Sequence, residues 1–263
     1  MAGMRHPIWI ALGAGAAVLV AAFAAPLWHM LRGPAPGLSP SPTATRALAG
    51  DDQNLPWQVR ATGEGGSRVF GLHLGQARLA DAEARFGDVL QLALVARVGE
   101  VGTLEALVEP MSAGFVSGRL VLGFEVPADV LARWRSNSRE HSAMAGGVRR
   151  FRLEAADRDE ARRMPIASMG FIPSVRLGEA DVRDRFGAPA AVQPLPEQAL
   201  ALLYPDRGLL VTVQPGSRGL LQYVPPALFE ARLRAPLAAI AASAAGAGPG
   251  AGSVAGAAGA ASR

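Results

Sequence analysis

Apolar and polar positions between residues 57 and 237 alternate in an order that occurs twice. In the first occurrence Leu79, Ala82 and Phe86 recur at helical spacing. Three strand-like runs and a second helix follow, over Leu90–Val98, Thr103–Glu109, Arg119–Glu125 and Ala128–Ser136. The pattern therefore predicts a helix, a three-stranded antiparallel meander and a helix, with a short strand before them.

The second occurrence repeats this order. A helix is predicted near Leu177–Phe186, and Pro205-Asp-Arg-Gly208 supplies a tight turn between the first two strands of the next meander. The predicted strands and the closing helix are Ala199–Tyr204, Leu209–Gln214, Leu220–Val224 and Ala227–Leu233. Between the two occurrences, Val148–Leu153 is typical of a strand and Ala155–Arg163 of a charged helix.

The motif D-x-x-x-R-F-G occurs in both units, at Asp81–Gly87 and at Asp181–Gly187. A near-constant offset at both ends of a unit indicates a tandem duplication. Glycine reaches the left-handed conformation that ends a helix, and arginine favours a helix C-terminus, so a structural role is sufficient for the motif. The alternative is a pair of equivalent binding surfaces. The predicted structural repeat signature is Arg85, Phe86, Gly87, Arg185, Phe186 and Gly187.

The N-terminal region differs in character from the rest. Residues 7–28 are apolar and uncharged, long enough to span a bilayer, and Trp9 and Trp28 lie near the two ends. A retained transmembrane anchor is one interpretation, with the N-terminus cytoplasmic and the remainder periplasmic. A signal peptide cleaved after Ala22-Phe23-Ala24 is the other.

The complete organisation follows from these segments. We predict an α+β protein in which an N-terminal transmembrane helix precedes a tandem duplication of the unit of helix, three-stranded antiparallel meander and helix. The segments are an anchor over 1–32, a Pro/Gly/Ser-rich linker over 33–56, a first repeat over 57–136, a connecting segment over 137–166, a second repeat over 167–237 and a disordered Ala/Gly-rich tail over 238–263.

Composition excludes several chemistries. The chain of 263 residues has no cysteine, which removes disulfides, thiolate metal sites, cysteine nucleophiles and lipoprotein acylation. Its 26 basic residues are all arginine, and its net charge is +4. Because acidic residues are interspersed among the arginines, no continuous basic stripe for nucleic acid exists.

The remaining candidates for catalysis and metal binding are weak. The four histidines, His6, His29, His73 and His141, have no metal-ligand spacing, so we predict no metal and no cofactor. Ser138 and Ser142 flank His141 without a nucleophile motif. The carboxylates Asp157, Asp159 and Glu160 alternate with arginines, as on a solvated helix face. The glycine-rich Gly63–Ser67 lacks the lysine of a phosphate-binding loop.

Several motifs carry a family resemblance. The repeat unit resembles the β-lactamase-inhibitor-protein-like fold, a tandem duplication of a helix and an antiparallel sheet. It is also similar to small outer-membrane-assembly lipoprotein domains, best over Val182–Pro189, from which the first copy departs at Ala82 and Leu90. The sequences FIP, YPDRGL and QYVPPALF resemble uncharacterised membrane-anchored proteins of Gram-negative bacteria. The β-lactamase-inhibitor-protein-like resemblance implies a duplicated α+β fold, whereas the resemblance to membrane-anchored proteins covers residues 55–237 and carries no known activity.

We therefore expect a single-pass inner-membrane protein whose periplasmic domain acts by binding and not by catalysis. An antiparallel sheet with helices on one face leaves its other face for a partner, expected to be another envelope protein. An enzyme acting on envelope polymers and a structural spacer without a specific ligand remain the alternatives.

Overall fold

The computed structural model describes residues 54–63, 65–144 and 147–246. The strands in this part of the chain are β1 (Arg60–Ala61), β2 (Ser67–Val69), β3 (Leu72–Leu74), β4 (Leu90–Arg97), β5 (Thr103–Ala113), β6 (Val116–Phe124), β7 (His141–Ala143), β8 (Val148–Phe151), β9 (Ile166–Pro173), β10 (Ala191–Pro194), β11 (Leu200–Tyr204), β12 (Leu209–Val213) and β13 (Leu220–Tyr223). The α-helices are α1 (Leu79–Phe86), α2 (Ala128–Asn137), α3 (Ala155–Ala161), α4 (Glu179–Phe186) and α5 (Ala235–Gly246), the last preceded by a π-helical turn at Glu230–Arg234.

The strands form two sheets. Strands β1, β2 and β3 make a small three-stranded sheet. The other ten described strands make one antiparallel sheet in the order β10-β11-β12-β13-β9-β6-β5-β4-β8-β7. Strand β9 joins its two halves, because Phe171 is in register with Leu120 of β6 on one side and with Leu221 of β13 on the other.

This architecture corrects the predicted fold class. The chain is dominated by one wide antiparallel sheet with few helices, and not by a duplicated α+β unit in which each meander carries its own helices. The prediction failed at β9, which is nearly all buried and therefore lacks the period-two alternation of a half-exposed strand. The supposed connecting segment 137–166 also contributes β7 and β8 to the same sheet.

The predicted membrane segment lies outside the described residues. Within the described ranges, no helix has the length and apolar character needed to cross a bilayer. At the other end, α5 extends to Gly246, so residues 238–246 are helical although their composition predicted disorder. The rest of the predicted tail lies outside the described residues.

One face of the large sheet carries the main core. Helices α1 to α4 and the small sheet all place apolar side chains on this face, among them Phe70, Phe86, Trp134 and Phe186. Phe70 packs against Phe171 of β9 with ring centroids 5.3 Å apart. Burial of these side chains removes apolar surface from water, which is the main force that holds the short helices on the sheet.

The opposite face is covered differently. The segment after β13 returns across it, and Phe229, Leu233 and Leu237 pack against Leu203 of β11 and Leu210 of β12. A separate apolar patch lies further along this face and contains Val121, Ile172, Leu220 and Leu107. We call the face with helices α1 to α4 the helical face and the opposite one the second face.

Phe186→Ala tests the core of the helical face. Phe186 is 2% exposed and packs near Trp57 and Tyr204, so its truncation leaves a cavity. We expect the free energy of unfolding of the full-length chain to fall by about 3–5 kcal/mol, measured by urea denaturation. Phe115→Ala is the control, because Phe115 is 78% exposed, and should cost less than about 1 kcal/mol. Equal losses in the two variants would contradict this assignment of the core.

Candidate functional site

The six signature residues support the fold. Helices α1 and α4 end at Phe86 and Phe186, and the following glycines have φ of 57° and 77°. Each glycine N–H donates to a carbonyl in the last turn of its helix, which closes that turn. These positions require the conformational freedom of glycine.

The two signature arginines have different surroundings. The Arg85 guanidinium packs so closely on Gly71 that a Cβ built there would lie 2.5 Å from Arg85 Cζ. Arg185 lies over the Trp57 ring at 5.4 Å and pairs with Asp181 at 3.5 Å. They therefore do not form equivalent binding surfaces.

The histidine and serine candidates are engaged locally. His73 Nε2 is 2.6 Å from Thr62 Oγ1, and the His141 ring lies 5.8 Å from Phe151. The Ser138 hydroxyl is within hydrogen-bonding distance of two main-chain carbonyls. His6 and His29 lie outside the described residues. Within the described part of the chain, no group of three or more potential metal ligands occurs.

The helical carboxylates are also used in packing. Asp157 accepts from the Asn137 amide at 3.0 Å. Glu160 accepts from Trp134 Nε1 at 3.1 Å and from the Arg133 guanidinium at 2.5 Å. These bonds join α2 to α3 and leave no pair of carboxylates facing one substrate position.

A groove at one edge of the large sheet brings together residues that the sequence did not identify as a site. It has a volume of about 880 Å³. It lies where β8 ends, beside the first residues of β4 and the start of α3. Its lining is Leu90, Gln91, Leu92, Arg139, Glu140, His141, Ser142, Arg150, Arg152, Leu153, Ala155 and Arg158.

Strand register positions the arginines of this groove. Arg150 of β8 is in register with Val95 of β4, while Phe151 is in register with Leu94, which belongs to the core of the helical face. Because successive side chains on a strand point to opposite faces, Arg150 and Arg152 share the second face. The alternation of arginines over Arg150–Arg152 was the available signal for this cluster in the sequence.

The groove is strongly basic. Four arginines line it, against the single carboxylate of Glu140. Arg152 pairs with Glu140 at 3.0 Å and Arg158 with Glu83 at 2.9 Å. Among the described residues, no carboxylate side chain forms an ion pair with Arg139 or Arg150. The positive charge is therefore only partly compensated.

Glu83 anchors one side of the groove. Partial burial disfavours its charged form, but hydrogen bonds from Arg162 and Arg158 outweigh this cost and hold the pKa of Glu83 below its usual value. Arg162 Nε donates to Glu83 at 2.6 Å, so Arg158 of α3 and Arg162, the residue that follows this helix, are both tied to α1. Glu83 thereby fixes the position of Arg158 at the groove.

The arrangement suits anion binding better than nucleophilic catalysis. His141 and Ser142 are consecutive on β7, so their side chains point to opposite faces of the sheet and cannot act as a base and nucleophile pair. Guanidinium groups, in contrast, present several donors to a carboxylate or a phosphate in a fixed plane. The chemistry available in the groove is therefore recognition of negative charge.

Comparison of the chain with protein-family models, with curated proteins and with solved structures yields no match.

A titratable carboxyl lies on the second face one strand away from the groove. Glu105 of β5 is in register with Ala93 of β4 and with Gly123 of β6. Burial raises the pKa of Glu105 to about 7, although the hydroxyl of Thr103 donates to it at 2.9 Å and lowers it. The folded chain therefore retains a proton that the unfolded chain, with a pKa near 4.5, releases earlier.

Stability is expected to depend on this proton. Between pH 4.5 and 7 the folded state binds more protons than the unfolded state, so the free energy of unfolding falls as pH rises through this window. We expect Glu105→Gln to remove this dependence of the free energy of unfolding on pH, because glutamine does not titrate. At pH 8 the variant should be more stable than the wild type by on the order of 2 kcal/mol. Urea denaturation from pH 4 to 8 measures both effects. Parallel pH profiles for the variant and the wild type would contradict the assignment.

Proposed function

We propose that the described domain is a non-catalytic binding module and that its arginine-lined groove binds an acidic segment of a protein partner. The observation that carries this proposal is a groove of about 880 Å³ lined by four guanidinium groups, of which those of Arg139 and Arg150 form no ion pair with a described carboxylate. A concave surface with excess charge of one sign concentrates ligands of the opposite sign. Another envelope protein is the proposed source of the acidic segment.

Two features favour a carboxylate-bearing polypeptide over nucleic acid. The four arginines that line the groove lie at one notch of the sheet edge, whereas a nucleic-acid backbone needs a continuous track of positive charge. The groove also has apolar walls from Leu90, Leu92 and Leu153. A peptide that carries both apolar and acidic side chains can contact the apolar walls and the arginines of the groove at the same time.

The setting of this module stays a prediction from the sequence. An inner-membrane location with the folded domain in the periplasm depends on residues 7–28, which lie outside the described residues. Under this proposal the partner is a protein of the same compartment, and no cofactor takes part.

Arginine substitutions in the groove test the proposed function. We expect fluorescein-labelled octaglutamate to bind the full-length chain and the double variant Arg150→Gln/Arg152→Gln to bind it about tenfold more weakly, measured by fluorescence anisotropy. The double substitution removes two of the four positive charges that line the groove, and added salt should weaken binding further because it screens the remaining charges.

The control for this experiment is Arg149→Gln. Arg149 is adjacent to Arg150 and exposed, but strand alternation places it on the opposite face, outside the groove. Its substitution should change the affinity by less than about twofold. Equal weakening by Arg149→Gln would identify a general charge effect, and absence of binding to the wild type would contradict the proposal.

A further inference from the structure

We infer that the acidic segment binds as an added β-strand along residues 90–93 of β4, where the ladder with β8 has ended. This inference rests on the proposed function and specifies how the same groove recognises its partner. Strand β8 pairs with Leu94–Arg97 only, while β5 pairs with β4 from Leu90 onward. The first half of β4 therefore has a strand neighbour on one side alone among the described residues.

Hydrogen bonds show which main-chain N–H and C=O groups point toward β7, both in β8 and in Arg152, the residue that follows β8. Met144 N–H donates to the carbonyl of Val148 at 2.8 Å, and Arg152 N–H donates to the carbonyl of Glu140 at 3.0 Å. In an antiparallel strand, the N–H and C=O of one residue point the same way and alternate along the chain. Val148, Arg150 and Arg152 thus bond toward β7, and Arg149 and Phe151 bond toward β4.

The same alternation fixes the direction of the main-chain groups of β4. Phe151 is in register with Leu94, so the N–H and C=O of Leu94 point toward β8. Leu92 lies two residues before Leu94, so its N–H and C=O point the same way as those of Leu94. They face the groove, beyond the end of β8. No described residue hydrogen-bonds the Leu92 backbone on this side, whereas the Leu90 N–H donates to Gly87.

An unpaired strand edge of this kind is a template for another strand. Main-chain hydrogen bonds supply affinity in strand addition, and pockets for alternate side chains supply specificity. Residues 90–93 extend over about 13 Å, enough for about four residues of a partner. The edge is thus short, and the surrounding arginines provide the additional attraction.

The pleat of the sheet predicts the sequence pattern of the added strand. A partner residue opposite Leu92 directs its side chain to the helical face, where Leu92 and Leu153 pack against the core. A residue opposite Gln91 directs its side chain to the second face, which carries Arg150 and Arg152. The preferred segment therefore alternates apolar and acidic residues.

This geometry also determines which peptide amides point toward β4. In an added antiparallel strand, a residue opposite Leu92 points its N–H and C=O back toward Leu92, so the amides of the apolar residues donate to β4 and those of the acidic residues point away. The probe is the capped octapeptide (Glu-Val)4 with two analogues of equal charge. One is N-methylated at the valines and the other, the matched control, at the glutamates.

We expect the full-length chain to bind the unmodified and the glutamate-methylated peptides similarly and the valine-methylated peptide at least tenfold more weakly, measured by isothermal titration calorimetry. Loss of two main-chain hydrogen bonds accounts for a change of this size. In hydrogen-exchange NMR, saturating (Glu-Val)4 should slow exchange of the Leu92 amide at least tenfold and leave that of Val101, in an exposed turn, unchanged.

The outcomes separate this inference from the proposed function. Strand addition would be overturned if all three peptides bound equally tightly, or if inorganic tripolyphosphate bound as tightly as (Glu-Val)4. If that binding still depended on Arg150 and Arg152, charge recognition would remain in place. Binding of octaglutamate without any binding of (Glu-Val)4 would overturn strand addition in the same way. Failure of every acidic probe to bind would overturn both.

Discussion

The pairing of β9 on both of its sides is the constraint on which the rest of the structure depends. Its residues bond to β6 along one edge and to β13 along the other, and most of its side chains are buried. Gly118 of β6 must remain small here, because a Cβ would collide with the Ile172 carbonyl and the Phe171 ring. A strand so enclosed joins ten described strands into one sheet and leaves no independent second unit.

In a sheet this wide, surfaces that can bind a partner lie at the edges and on the less covered face. Strand β4 is eight residues long, while its outer neighbour β8 has four. The mismatch creates the notch, and the chain leaving β8 then turns into α3, whose Arg158 is held by Glu83 of α1. The groove is therefore a consequence of unequal strand lengths together with one ion-pair network between helices.

Local patterns in the sequence predicted local structure well. The first predicted helix, with Leu79, Ala82 and Phe86 at helical spacing, and the meander after it correspond to α1, β4, β5 and β6, because their apolar periodicity and glycine turns are unambiguous. Long-range pairing could not be inferred in this way. Strand β9 has no alternation to reveal it, and β7 contains only three exposed residues. The groove was missed because its arginines were assigned to a connecting segment, although Arg150 and Arg152 alternate on a predicted strand.

The arginines and the unpaired edge are more informative together than separately. An exposed strand edge invites pairing with another copy of the same chain, which proteins commonly prevent with charge. Two copies meeting at this notch would bring together four guanidinium groups from each, with one lining carboxylate apiece. Such repulsion disfavours self-association, but the same charges attract an acidic strand. Under the proposed function the cluster therefore has two effects: it disfavours self-association at an edge that main-chain bonding alone would leave open to any strand, and it favours an acidic partner.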